Sequence, residues 1–297
     1  MNRSSLPWLH VLLAVAVVAV WGTNFVVIRI GLDHLPPLTF ATLRFTFALL
    51  PAVFFLKKPD VPWRNLAAYG VLIGAGQFGL LYIAMSGFIS PGLASLVVQT
   101  QVFFTIGLAM WLAKESIRSF QLVALALAAV GLVVIVAHTD ASVTPLGLIL
   151  VLIAAASWAG GNAFSKAAGK VNMLAYVVWA SLFSVPPLLV LALIFEGPQA
   201  MIQGVRAADT ATWAAVLWQS VGNTLFGYAA WGWLLSRHPA AVITPMAMLV
   251  PVFGMGASAL WLGESLPPWK LLAAGLVMSG LAINIFWPAF ERRLARA

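Results

Sequence analysis

The chain has 297 residues, 62% hydrophobic and 8% charged, with a net charge of +8 and a mean hydropathy of +1.00. A soluble domain is about 45–50% apolar and about 25% charged. A membrane span takes about 20 apolar residues, so ten spans would use about 200 and leave no room for a soluble domain of ordinary size. A soluble enzyme, a nucleic-acid module and a disordered chain are thereby excluded. In a membrane protein, excess Lys and Arg marks cytoplasmic anchoring rather than nucleic acid. Cysteine is absent, which removes disulfides, thiolate metal sites and Cys nucleophiles.

Ten apolar runs follow in chain order, at about 8–30, 36–56, 66–88, 91–113, 119–138, 145–168, 173–195, 211–235, 239–262 and 267–288. Arg3 is the only basic side chain before the first run, and no small-residue cleavage site ends it. That run is expected to be a retained helix, not a signal peptide. Turn chemistry separates the runs: Pro36-Pro37, Lys57-Lys58-Pro59-Asp60, Ser90-Pro91-Gly92, Lys114-Glu115-Ser116 and Pro267-Pro268. Loops this short make neighbouring helices antiparallel. With a cytoplasmic N-terminus, twelve Lys and Arg fall on the inner side and only Arg29, Arg206 and Lys270 on the outer. The bias predicts a multi-pass protein of the bacterial inner membrane with both termini cytoplasmic.

The two halves resemble each other. Trp21 precedes Asn24 and Arg29 in the first run, and Trp158 precedes Asn162 and Lys166 in the sixth. Gly76-Gln77 and Tyr82 recur as Gly222-Asn223 and Tyr228, both 146 residues on. Leu112 to Ser116 matches Trp261 to Ser265, and Gly131 matches Gly280, at 149. The pattern predicts an all-α polytopic protein of ten transmembrane helices: one five-helix repeat over 1–140 and a second over 141–297. Five is odd, so the second copy enters from the opposite face. Inverted repeats of this kind carry a substrate site at their interface near the bilayer midplane.

The stretch Val20-Trp21-Gly22-Thr23-Asn24-Phe25, the segments Pro36-Pro37 to Leu43-Arg44-Phe45 and Gly92 to Leu96, and the paired Glu115 and Glu264 resemble the EamA family of the drug/metabolite transporter superfamily. The chain is similar to that family's amino-acid and metabolite exporters, the cysteine/O-acetylserine and YddG-type aromatic amino-acid exporters among them. The resemblance implies an inner-membrane exporter with a central cavity between inverted halves. The superfamily's small multidrug members carry a Glu in their first helix. Here the middle of that run, Ala14 to Val20, is apolar.

All eight acidic residues lie at run ends or in loops, and the four histidines lie near run ends. A carboxylate or histidine proton relay within the bilayer is therefore not expected. Arg44 is the one charge well inside a run. It either holds a substrate carboxylate or bonds neighbouring carbonyls to fix packing. The mid-run amides Asn24, Gln77, Gln99, Gln101, Asn162, Gln219 and Asn223 should face protein or a water-filled cavity, because an unsatisfied amide in hydrocarbon costs several kcal/mol. Cavity lining and interhelical bonding are both open for each of them.

Trp8, Trp63, Trp213, Trp269 and Trp287 lie near run ends, as interfacial-belt residues do. Trp21, Tyr82, Trp158, Trp179, Tyr228 and Trp231 lie deeper and can wall a cavity. Residues five apart on an α-helix diverge by about 140°, so one of Gln77 and Tyr82, and one of Asn223 and Tyr228, is expected to pack away from the site. Glu115 and Glu264 fall where one helix ends and the next begins, and read as structural caps. Gly74-Ala-Gly76-Gln-Phe-Gly79 spells a dinucleotide motif but follows no strand. Gly70 and Gly74 instead suit close helix packing.

The sequence therefore predicts a secondary transporter that exports amino acids, aromatic and apolar ones included, and related metabolites by alternating access. A nucleotide-sugar, sugar-phosphate or drug carrier is the alternative. The expected partners are a small-molecule substrate and membrane lipid, as a monomer or homodimer, with no nucleic acid, cofactor or metal.

Overall fold

A computed structural model describes residues 7–113, 118–138 and 142–294. The first half holds α1 (Trp8–Gly31), α2 (Pro37–Leu49), α3 (Trp63–Val71), a π-helical segment (Leu72–Gly79), α4 (Leu80–Met85), α5 (Pro91–Val97), a 3-10 turn (Val98–Thr100), α6 (Gln101–Ala113) and α7 (Ser119–Ala137). The second holds α8 (Pro145–Ala167), α9 (Met173–Phe195), α10 (Gly197–Ala207), α11 (Thr210–Leu217), a second π segment (Trp218–Phe226), α12 (Gly227–Arg237), α13 (Ala240–Ile243), a 3-10 segment (Thr244–Met248), α14 (Leu249–Leu262) and α15 (Pro268–Leu294).

Helix is the form that satisfies every backbone N–H and C=O without water, and local chemistry sets the ends. Proline opens α2, α5, α8 and α15, where a missing N–H breaks no intrahelical bond. Thr144 and Asn172 accept from backbone N–H groups as N-caps of α8 and α9. Gly263, at φ +66°, ends α14 in the left-handed conformation that favours glycine.

Among the described residues, nine helical runs are long and apolar enough to cross a membrane. The sequence predicts ten. The difference is the eighth run, where α11, the second π segment and α12 follow end to end. Gln219, Ser220, Asn223 and Thr224 occupy its middle and lower its hydropathy. Helix α10 has no counterpart in the sequence reading, which leaves 196–210 as a loop.

Helix α1 packs on α14, α2 on α9, α5 on α14, α6 on α8 and α7 on α15, while α3 and the first π segment lie against α8 and α9. Glycine permits the tightest crossings. A Cβ on Gly70 would stand 2.2 Å from the Ala180 carbonyl oxygen, and one on Gly280 would stand 2.5 Å from that of Ala124. Leu122, Val123, Val130, Val133 and Val136 of α7, with Leu271, Leu272 and Phe286 of α15, are exposed. Such a surface suits lipid contact.

Candidate functional site

A cavity of about 460 Å³ lies within the bundle. Its wall is drawn from α1, the first π segment, the stretch around Val98–Val102, α8, the second π segment, α12, the 244–250 stretch and α15. It runs from mid-bundle toward Ser165, Met173, Leu235 and Ile285. That is the end at which α1, α3 and α9 begin, called here the near end.

Six carboxamides face this space: Asn24, Gln77, Gln99, Gln101, Asn162 and Asn223. They differ in what they hold. Asn162 donates through Nδ2 to Gln101 Oε1 at 3.2 Å, and Gln99 donates weakly to the Ala247 carbonyl at 3.5 Å. These two contacts are the interhelical bonding the sequence leaves open. Among the described residues, Asn24 Oδ1 and Gln77 Oε1 are instead buried without a hydrogen-bond partner. Both oxygens are closed off from the cavity in this conformation, so an outside donor meets them only when these side chains turn.

Trp21, Trp158 and Tyr228 supply apolar wall, joined by Tyr69, Phe78 and Trp231. The Trp21 indole donates to the Asn223 carbonyl at 3.2 Å, and its ring lies 5.1 Å from Trp231 and 5.9 Å from Tyr228. Asn223 and Tyr228 both face the cavity, which corrects the expectation that one of them packs away. The expectation assumes α-helical spacing. The 218–226 segment is π-helical, which narrows the angle between residues five apart, although the equivalent Gln77 and Tyr82 beside the first π segment stay divided, with Gln77 on the cavity and Tyr82 behind it. The two π segments begin 146 residues apart, the same offset that relates Gln77 to Asn223.

Three of the candidates, Arg44, Tyr82 and Trp179, stand behind the wall, a second correction. Tyr82 and Arg44 are fully buried. The Arg44 guanidinium donates to the Tyr82 hydroxyl and to Thr224 Oγ1, each at 3.2 Å, and Tyr82 donates to Gln219 Oε1 at 3.0 Å. Phe78 covers the guanidinium at 3.5 Å and also lines the cavity. The Trp179 indole is drawn away to the Leu56 carbonyl, at 2.9 Å, and its ring packs edge-on against Trp63. A second, much smaller cavity of about 10 Å³ lies beside Arg44, and Tyr69, Phe78 and Tyr228 line both spaces.

No charged side chain lines the large cavity among the described residues. The carboxylates of Glu264, Glu196 and Asp209 hold helix starts at the far end. Glu264 accepts from the Gly92 N–H at 2.9 Å, from Ser90 Oγ at 2.5 Å and from Lys270 Nζ at 3.0 Å. It therefore caps α5 across the bundle, not the helix that follows it. Glu115 lies outside the described residues. Glu196 takes the Leu38 and Thr39 N–H groups and the Thr39 hydroxyl at 2.5–2.9 Å, at the start of α2. Asp209 caps α11. The Thr212 N–H and hydroxyl both donate to it at 2.8 Å and hold its carboxyl below the ordinary value. A shallow vestibule of about 300 Å³ opens at this end, lined by Arg29, Asp33, Ser90 and Glu264.

The profile of the EamA-like transporter family matches residues 8–137 and 145–286. The chain belongs to that family. Proteins of Salmonella typhimurium and Escherichia coli, each named "Probable amino-acid metabolite efflux pump", are 40% identical to it over 280 residues, or 92% of this chain and 94% of theirs. A crystal structure 16% identical, with a TM-score of 0.64, covers 97% of this chain and 99% of its own, which shows a shared fold. This EamA-type protein is accordingly a membrane transporter and not an enzyme.

Within this transporter, sequence reasoning passes over Tyr69, Phe78 and Glu196. Tyr69 precedes Gln77 by eight residues, about two helical turns, so helical spacing from the amide was the available signal. Glu196 sits beyond an apolar run with no motif to single it out.

Proposed function

We propose that this protein exports amino acids, aromatic and apolar ones included, and related small metabolites from the cytoplasm across the bacterial inner membrane. The observation that carries the reading is the uncharged cavity, with six carboxamides and an apolar wall of aromatic and aliphatic side chains. A zwitterion brings no net charge into the cavity, and its ammonium and carboxylate each need hydrogen-bond partners, which the amides supply while rings take its side chain. A phosphorylated cargo would need several cations at that depth, and the lining offers none. The names of the 40% identical relatives favour the same class.

The proposed architecture is ten spans in two inverted five-helix repeats, divided near residue 140, with the 210–237 run as the eighth span. The two profile matches and the equivalent π segments support it. The near end then faces the cytoplasm, together with both termini. Phe25 lines the cavity and Arg29 the far vestibule. Four residues, about 6 Å of helix, separate the two compartments on α1, a short step for alternating access. In this cycle Asn24, Gln77 and Asn223 hold the cargo backbone while Trp21, Trp158 and Tyr228 hold its side chain.

Proteoliposome counterflow with labelled amino acids, sugars and nucleotide sugars is the test. The expected result is exchange of apolar and aromatic amino acids with none of nucleotide sugars. Exchange of nucleotide sugars without any amino acid would overturn the reading.

A further inference from the structure

Helix α10 joins the far ends of α9 and α11 and lines neither the cavity nor the vestibule. Helix α9 runs for 23 residues, about 34 Å, enough to cross the hydrocarbon core. Its last turns expose Val190, Leu193, Ile194 and Phe195, so apolar surface continues to the point where the chain leaves the span. There Gly197, at φ +79°, turns the backbone into α10.

At about 100° per residue, the side chains of α10 divide into three arcs. Gly197, Ala200, Met201 and Gly204 meet the protein. Gly204 is buried against His34, Leu35 and Pro36, the loop between α1 and α2, and Met201 packs on the core. Pro198, Ile202 and Val205 form an exposed apolar arc beside them. Gln199, Gln203 and Arg206 form an exposed polar arc. Arg206 stands about 160° around the helix from Gly204, so it points away from the bundle, at the boundary between the apolar and polar arcs. It has no acidic partner among the described residues, and the nearby Asp209 is engaged by Thr212.

Water gives exposed apolar and polar side chains no reason to segregate. A membrane surface does: one arc faces acyl chains, the other faces water, and their boundary lies at headgroup level. A guanidinium at that level matches a phosphate in charge and in geometry.

We propose that α10 lies in the plane of the membrane, with Ile202 and Val205 among acyl chains and Arg206 on the phosphate of a phospholipid headgroup. The bound lipid adjoins the charged seam of the far end. Helix α10 follows Glu196, which holds the start of α2, and rests on the loop that leads into α2. Assignment of this lipid to the outer leaflet rests on the topology proposed above; the in-plane lie does not.

The chain has no cysteine, so a nitroxide can be attached to single cysteines replacing Gln199, Ile202, Gln203 and Val205, all of them exposed. The full chain is reconstituted in vesicles of phosphatidylethanolamine and phosphatidylglycerol. Electron paramagnetic resonance then compares collision with oxygen, which concentrates in lipid, and with a water-soluble nickel chelate. Oxygen is expected to dominate at Ile202 and Val205 and the chelate at Gln199 and Gln203, a several-fold reversal of the ratio. Four positions alike overturn the in-plane helix. Nitrogen–phosphorus recoupling by solid-state NMR, on protein labelled in its arginines, reads guanidinium–phosphate contact. The dephased fraction is expected to fall in Arg206→Gln, and a fraction unchanged in that variant overturns the phosphate contact. A membrane-impermeant maleimide applied to whole cells reports the leaflet, and Gln203→Cys is expected to react. No reaction there, with the arcs intact in vesicles, sinks the topology proposed above and leaves the lipid site standing.

Discussion

The two ends of the bundle are held by different chemistry. At the far end, Glu264 and Glu196 reach across the fold to the starts of α5 and α2, and Ile89 bridges Val143 between connecting segments. At the near end the ties are neutral or singly hydrogen-bonded. Asn65 links Phe164 to Tyr176, and His10 meets His238 at 2.7 Å. The cavity reaches toward this second end. Charge placed on helix N-termini in a low-dielectric setting makes a firm seam. Single neutral bonds of small net value make a seam that can part. The contrast teaches that the same apolar helices can be tied by charge at one end and by neutral hydrogen bonds at the other.

Substitutions can break or sharpen that contrast. Glu264→Ala leaves Lys270, itself buried, without its partner. It should destabilise by about 3–5 kcal/mol, read as a fall in Tm and in folded yield. Glu196→Ala removes three charge-assisted bonds at the start of α2 and should cost about 1–3 kcal/mol in the same assay. The cavity should behave oppositely. Asn24→Ala removes a bare acceptor and should raise the half-saturating amino-acid concentration in counterflow about tenfold, one hydrogen bond to a charged ligand, with Tm unchanged. A Tm loss for Asn24→Ala equal to that for Glu264→Ala would erase the contrast.

Two smaller effects sharpen it further. Asn162→Ala cuts a single amide contact to Gln101 and should shift stability by about 0.6 kcal/mol, the average for a side-chain bond between membrane helices. Asp209→Asn should do least, and its effect should depend on pH. The carboxyl is held below its ordinary value, so its contribution is present above the unfolded pKa and lost as pH falls through the folded one. The Tm difference between wild type and Asp209→Asn is therefore expected at neutral pH and should vanish in acid. A difference that grows in acid would contradict the capping role.

The polar cavity was legible in the sequence because an amide is conspicuous inside an apolar run. Seven amides stand out for that reason; Asn24, Gln77, Gln99, Gln101, Asn162 and Asn223 line the cavity, while Gln219 is buried behind the wall and accepts from Tyr82. What each amide does was not legible. Asn162 and Gln101 satisfy each other while Asn24 Oδ1 and Gln77 Oε1 go bare, a matter of facing rotamers that no spacing rule contains. Arg44 misled because charge depth can be read along a run while the covering ring, Phe78, is contributed by another helix. The facing of Asn223 and Tyr228 escaped for a different reason. A π register, which α-helical periodicity does not contain, narrows the angle between them, yet it leaves the equivalent Gln77 and Tyr82 divided.

The paired π segments have a mechanical consequence. Each i→i+5 ring encloses one residue more than the α-helical ring, so each segment holds a length of chain in reserve. Reverting one ring to i→i+4 would turn the helix beyond it by roughly 100°, the step of a single residue. Tyr228, just past the second segment, would then swing off the cavity wall while its helix kept its tilt. Such a reversion would exchange wall residues by turning one helix about its own axis. A thiol introduced at 228 into this cysteine-free chain reports it. Labelling that changes with cargo at 228 but not before the segment, at Ala215, marks rotation, and equal change at both marks tilt alone.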